Sequence, residues 1–328
     1  MSSPTSGRGA ERDDQDAAPQ AGASSSTGVS TGSGSGAAVV AASGGAVDQA
    51  GLWGDVWRQL RRSPQFLFGA TVVAVFVVMA AVPQLFTRTD PRACNLARSR
   101  QQPSSEAWFG YDVQGCDYYA NVIYGARASI SIGLLVVLGG LLIGLTLGAV
   151  AGYRGGWIDI LIARVTDVFF GLPLILGAIL VLQAFTSRGI LLVSFALAIL
   201  SWMVPMRLVR SSVVALRDSD YVLAARALGA NDRRIVLRHV LPNSLAPVLV
   251  YSTISIGVVI SAEAALSFLG IGLQLPAISW GLMIGNAQNF LRTSPFLLWF
   301  PGAFLTLTVL AFISLGDALR DALDPKLR

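Results

Sequence analysis

Residues 128–152 read ASISIGLLVVLGGLLIGLTLGAVAG, a run without a single charged side chain. A hydrocarbon core about 30 Å thick is crossed by about 20 apolar residues in helical conformation, so this stretch is long enough to span a bilayer. On either side of it, five more stretches meet the same test: Phe66 to Phe86, Asp159 to Phe185, Gly189 to Val209, Ser244 to Leu269 and Phe296 to Ala318. Composition points the same way. Of 328 residues, 53 % are hydrophobic and 13 % charged, whereas soluble domains carry about 25 % charged residues. Mean hydropathy is +0.61. The fold class expected is an all-α polytopic membrane protein with six transmembrane helices.

Two residue counts exclude whole classes of chemistry. The single lysine is Lys326 and the single histidine is His239. A phosphate-cradling Walker A loop needs a lysine directly after its glycine-rich turn, and none stands near one. The chain therefore does not read as a P-loop ATPase. One histidine and two cysteines also leave too few ligands for a zinc site made by this chain alone. The pI of about 9.6 could suggest nucleic acid, but the arginines lie mainly beside the hydrophobic spans, as the positive-inside bias requires. A G-x-S-x-G from Gly28 to Gly32 matches a hydrolase nucleophile elbow in letters only, since it has no strand before it and no helix after it.

Residues 1–50 are Ser, Gly and Ala with few large apolar side chains and read as a disordered tail. Residues 51–65 form an amphipathic lead-in carrying Arg58, Arg61 and Arg62. The first span occupies residues 66–86, a loop residues 87–127, a five-helix core residues 128–318 and a short tail residues 319–328. Arginines cluster between the fourth and fifth spans, where Arg226, Arg233, Arg234 and Arg238 fall together. The charge bias places that cluster and both termini in the cytoplasm and the 87–127 loop outside. Arg88, Arg92, Arg98 and Arg100 in that loop run against the bias, partly balanced by Asp90, Glu106, Asp112 and Asp117.

In the second span, Gly140, Gly144, Gly148 and Gly152 recur on one helix face. Such small-residue repeats let another helix approach closely, as ordinary membrane packing or as a tight contact in a bundle that moves as a unit. Glu263 falls inside the fifth span, and Arg164 and Asp167 inside the third. Ionisable groups in lipid face the interior, so Glu263 either lines a pathway or hydrogen-bonds a neighbouring helix. Arg164 and Asp167 read as structural.

The cytoplasmic segment 220–243 reads DYVLAARALGANDRRIVLRHVLPN. Asp220 can cap a helix favoured by Ala224, Ala225 and Ala227, and Gly229 can end it in the left-handed conformation. Asn231 or Asp232 can cap a second short helix ending before Pro242. A basic helix resting on anionic lipid is the competing reading of this segment.

Ala224-Ala225, Gly229 and Leu241-Pro242 in this order resemble the E-A-A…G…L-P loop of binding-protein-dependent ABC importer permeases. In that family the loop docks in a groove of the ATPase subunit. The resemblance implies coupling roles for Leu223, Ala224, Ala225, Arg226, Gly229, Arg233, Leu241 and Pro242, with Leu223 standing where the family has Glu. The resemblance sharpens to the C-type subunit of dipeptide and oligopeptide permeases. Phe109-Gly-Tyr-Asp112 with Gly115 and Asp117, Ala262 to Gly270, Ser279-Trp-Gly281 and Leu315 to Pro325 are similar to that subfamily. It implies a type I importer bundle in a bacterial cell membrane that binds no cofactor, with ATP and Mg held by two ATPase subunits. The other partners implied are a B-type permease subunit and an extracytoplasmic peptide-binding protein. Nickel complexes or glutathione remain alternative cargoes. An ion-coupled secondary transporter acting alone would want inverted repeats and broken helices, and an intramembrane enzyme would want a nucleophile with its base. Cys116 stands where the subfamily has Arg. Cys94 and Cys116 are the only cysteines and share the loop expected outside, where disulfides persist, so a bond between them is expected.

Overall fold

The computed structural model describes residues 49–323. The tail expected over 1–50 therefore lies almost wholly outside the described residues, as do 324–328. Among the described residues there is no strand, only one isolated antiparallel bridge between Tyr111 and Asp117. The helices are α1 (Gln49–Leu60), α2 (Pro64–Ala81), α3 (Tyr118–Arg154), α4 (Gly156–Phe170), α5 (Leu174–Gln183) and α6 (Ile190–Ala198). They continue with α7 (Met203–Leu216), α8 (Asp220–Ala227), α9 (Asp232–Ile235), α10 (Leu241–Phe268), α11 (Trp280–Ala287) and α12 (Phe296–Leu323).

Local chemistry sets the ends of the longer helices. The Ser63 hydroxyl accepts from the Phe66 N–H at 3.4 Å, and Pro64 follows at the first helical position, where its missing N–H costs nothing. Pro83 then ends α2 short of the expected Phe86, and a 3-10 turn from Pro83 to Leu85 takes over. Asp117 caps α3 by accepting from Ala120 N–H at 2.8 Å. With 37 residues, α3 is about 55 Å long at 1.5 Å per residue. It therefore extends well beyond a hydrocarbon core.

Four helical runs are long and apolar enough to cross a membrane: α2, α3, the run Asp232–Phe268 and α12. The third and fourth expected spans are each broken instead of continuous. Helices α4 and α5 meet at 85°, and α6 and α7 at 46°. The first break falls at Gly171-Leu172-Pro173, where proline removes a helical N–H and disfavours helical geometry in the residue before it. Counting each bent pair as one crossing gives six.

Helix α3 is the centre of the bundle and packs on α2, α6, α7 and α10, while α12 packs on α2 and α10. The four spaced glycines of α3 are buried; the first faces the turn before α7 and the other three face α7 itself. Gly140 lies against Ser201, Gly144 against Pro205 and Met206, Gly148 against Met206 and Val209, and Gly152 against Arg210 and Val213. Both sequences advance by four along this seam, so α3 and α7 run parallel, as second and fourth crossings must. At the far end an aromatic cluster joins α2, α11 and α12. Trp280 is wholly buried and donates its indole N–H to Val122 O at 2.9 Å, and Phe109 stacks on Phe300 at 3.8 Å between centroids.

The seam can be tested with one substitution at two positions. A Cβ on Gly148 would stand 2.6 Å from the Met206 carbonyl oxygen and 2.8 Å from Val209 Cβ, whereas at Gly140 the nearest atoms, all of Ser201, are 3.4 Å away. Gly148→Ala is expected to destabilise by roughly 1–3 kcal/mol through overpacking. Gly140→Ala should be neutral or gain up to about 1 kcal/mol from helix propensity. Melting of the detergent-solubilised protein, followed by size-exclusion chromatography, reads both, and equal melting temperatures would refute the register.

Candidate functional site

The site is the helical corner formed by α8 and α9 beyond the end of α7. Ser219 takes the N-cap position of α8 with extended backbone, and Asp220 falls in the first turn instead of capping it. Gly229 adopts φ +83°, the left-handed turn that a glycine accepts most readily. Asn231 caps α9, its Oδ1 accepting from Arg234 N–H at 2.9 Å. The expected stop before Pro242 does not occur. A π turn from Val236 to Val240 carries α9 into α10, making a helical run of 37 residues. The wider turn sits directly before Pro242, where the proline ring displaces the regular ladder, and Asn243 Nδ2 donates to His239 O at 2.6 Å.

The corner is clamped to the bundle. Val222, Ile235 and Val240 are fully buried and pack with Val209, Val213 and Val248. Tyr153, at the end of α3, donates its hydroxyl to Asp232 Oδ1 at 2.7 Å, and Arg217 Nη1 donates to Gly152 O at 3.2 Å. A force on α8 therefore reaches α3, α7 and α10 together.

The outward face is not the one the motif suggests at every position. Leu223 (47 % exposed) and Leu228 (88 %) are open, as are Ala224, Arg226, Gly229, Arg233 and Pro242. Ala225 and Leu241 are half-buried against the internal cluster, so of the Ala224-Ala225 pair Ala225 points inward and Ala224 outward. The i, i+3 pairing of Val222 with Ala225 is the local signal for this. Leu228, which no motif position marked, is the most exposed of the large apolar side chains at the corner.

The other charged candidates are held within the chain. Asp167 pairs with Arg207 at 2.7 Å and with Arg164 at 3.7 Å, joining α4 to α7. A second pair between these helices, Asp159 with Arg210, was not singled out from the sequence. Glu263 is fully buried. Its Oε1 accepts from the hydroxyls of Ser267 at 2.8 Å and Ser279 at 3.1 Å, tying α10 to the start of α11. A separate cavity of about 460 Å³ lies between α3, α5, α7 and α10 and is lined by Gly140, Phe170, Ser201, Tyr251 and Ser255 among others. At the opposite end from the corner, Cys94 and Cys116 are joined as a disulfide, and Asp112 braces the turn by accepting from the Gln114 and Cys116 N–H groups, each at 2.8 Å. Among the described residues no group of His, Cys, Asp or Glu could hold a metal ion.

With the bent pairs counted as single crossings the fold is a bundle of six, and the chain belongs to the family of binding-protein-dependent transport system inner membrane components, matched over residues 144–328. Residues 51–103 match the N-terminal TM domain of oligopeptide transport permease C. The chain is 40 % identical over 276 residues to a dipeptide transport system permease protein of Alkalihalophilus pseudofirmus, covering 84 % of this chain and 90 % of that one. It is 36 % identical to an oligopeptide transport system permease protein of Bacillus subtilis, over 84 % of this chain and 90 % of the relative. A glutathione transport system permease protein of Pectobacterium atrosepticum is 39 % identical, over 84 % of this chain and 92 % of the relative. The fold resembles that of the MetNI methionine ABC transporter in an inward facing conformation, with TM-score 0.52 and 18 % identity over 62 % of this chain and 96 % of that one.

Two expectations follow from these contacts. Glu263→Gln retains an acceptor for both serines and should leave melting and uptake near wild type. Glu263→Ala opens a cavity and strands two hydroxyls, at a cost of roughly 2–5 kcal/mol; a change of cargo selectivity with unchanged melting in either variant would instead put Glu263 on the transport path. Closing the loop between Cys94 and Cys116, 22 residues apart, contributes about 3 kcal/mol by chain entropy. Protein from an oxidising compartment should show no free thiol by non-reducing mass spectrometry, and the Cys94→Ser, Cys116→Ser double variant should melt earlier.

Proposed function

We propose that the chain is the C-type permease subunit of an ATP-driven importer of di- or oligopeptides, forming part of the translocation path and hydrolysing no ATP itself. Its partners in this reading are a B-type permease subunit, two ATPase subunits that bind ATP and Mg, and an extracytoplasmic peptide-binding protein. The observation that carries it is the α8–α9 corner, with an exposed face of small and apolar side chains outside and three core helices clamped behind. The arginines around the corner favour its cytoplasmic placement, with both termini on the same side, and the disulfide favours an oxidising compartment for the opposite end. Relatives named for dipeptides and oligopeptides support this cargo class, and one named for glutathione keeps glutathione as the alternative.

The mechanism follows from the mechanical connections. When the ATPase subunits close on ATP they displace the corner. Tyr153, Arg217 and the buried valines pass that displacement to α3 and α7, whose glycine seam makes them move as one body. The bent α4–α5 and α6–α7 crossings flank the central cavity and are placed to open and close it as the seam tilts.

Ala224→Trp adds bulk only on the outer face, so membrane expression and melting should stay normal while ATPase co-purification and peptide uptake fall strongly. At Gly229 an added Cβ would meet nothing within 4 Å, so the cost of substitution is conformational, about 1–2 kcal/mol for most residues in the left-handed region. Gly229→Val should therefore impair uptake, and Gly229→Asn, which tolerates that region, should largely preserve it. Wild-type uptake and ATPase recovery in Ala224→Trp would remove the corner as the docking element.

A further inference from the structure

Arg88, Arg92 and Arg127 line one cavity of about 420 Å³ at the disulfide end of the bundle, together with Asp90, Tyr124 and Ile278. We infer that this cavity is a binding site for the phosphate headgroup of an anionic glycerophospholipid.

Charge is the first ground. Among the described residues, Arg164, Arg207, Arg210 and Arg217 form ion pairs, all of them elsewhere. None of the three cavity arginines has such a partner, and Arg92 reaches only the neutral carbonyl of Pro276, at 3.3 Å. Asp90, the single carboxylate on the rim, is already engaged by the backbone N–H of Arg92 at 2.9 Å. Three guanidinium groups thus face one carboxylate in a shared space, and among the described residues no other carboxylate pairs with them. Arg88 and Arg92 are also among the residues that run against the charge bias of the spans, and a resident anion removes that conflict.

Depth is the second ground. Arg127 donates from Nε to Ala80 O at 2.9 Å and from Nη2 to Ala81 O at 3.1 Å. These are the last residues of α2, an apolar span of 18 residues. The guanidinium is therefore fixed where the span ends and lipid headgroups begin. Tyr124 beside it has the amphipathic character that suits this level.

The third ground separates a lipid from a free anion. A second cavity of about 210 Å³ shares Arg92, Tyr124 and Arg127 and continues over Ala128, Ile190 and Ile278. Farther along α3, Leu138 and Leu142 are 60 % and 66 % exposed. A ligand with a phosphate at one end and acyl chains at the other fits both halves. Inorganic phosphate or a peptide carboxylate would satisfy only the first.

The test uses the full-length chain purified from membranes in its native assembly, with phosphatidylglycerol and phosphatidylcholine titrated in native mass spectrometry. Phosphatidylglycerol should bind preferentially at this chain, and Arg88→Gln with Arg92→Gln should weaken it by about tenfold or more, as expected for losing charge-assisted hydrogen bonds. Melting in phosphatidylcholine should be unchanged. Arg127 is left intact because it also caps α2, and Arg88→Gln alone serves if the double variant is unstable. Equal binding of the two lipids, or undiminished phosphatidylglycerol binding by either variant, would overturn the site. Displacement of the lipid by inorganic phosphate would reassign it to free anions, and displacement by a dipeptide at concentrations that support uptake would reassign it to cargo; either result overturns the proposal.

Discussion

The close approach of α3 and α7 along four glycines is the contact on which the rest of the structure depends. In lipid there is little hydrophobic force between helices, so association rests on packing and on the distance at which two backbones can meet. Glycine sets that distance here: three of the four positions would bring a Cβ within 3 Å of α7 atoms. The seam runs to the end of α3, where Gly152 O receives Arg217 and Tyr153 reaches Asp232. The corner is thus suspended from the seam, and its position relative to the central cavity is inherited from it.

A second consequence concerns α4, which touches the bundle lightly along its length. Trp157, Ile160 and Val168 are 73 %, 62 % and 70 % exposed, and the link to α7 combines the Asp159–Arg210 and Asp167–Arg207 pairs with the packing of Ile162 and Phe169 on Trp202 and Met206. Ion pairs at intermediate exposure are modest in strength. They can be rearranged more easily than an interlocked glycine contact, which suits a bent helix beside a cavity. The bundle therefore combines a close glycine seam with a crossing held partly by ion pairs, a combination that suits the alternating access of the proposed function.

The two ends of the protein handle charge differently. Near the corner, several arginines are engaged by internal carboxylates and carbonyls, which fixes geometry, while Arg233 and Arg234 face outward. At the disulfide end, Asp112 is occupied by backbone N–H groups and leaves the arginines of that region without carboxylate partners. The first arrangement orders the corner, which in the proposed function meets a protein partner. The second leaves a net positive space at headgroup depth.

Much of this is legible in the residues alone. The cost of unpaired backbone in lipid makes a long apolar run helical wherever it lies, so apolar length locates the six candidate crossings, though not the breaks that divide two of them. Glycines recurring every four residues announce a close helix contact, and Gly229 between two capped segments announces a left-handed turn, because both depend only on local geometry. Other properties depend on residues far apart in the chain. That the glycines meet α7, that Ala225 turns inward while Ala224 turns outward, and that Glu263 is held by Ser267 and Ser279 are decided by packing. The same holds for Asp159 with Arg210, 51 positions apart, and Tyr153 with Asp232, 79 apart. Helix formation in a membrane is a local balance of backbone hydrogen bonding and apolar length, and the sequence determines it by itself. Which face of each helix is buried, and against what, is a competition among distant surfaces that only the assembled tertiary structure resolves.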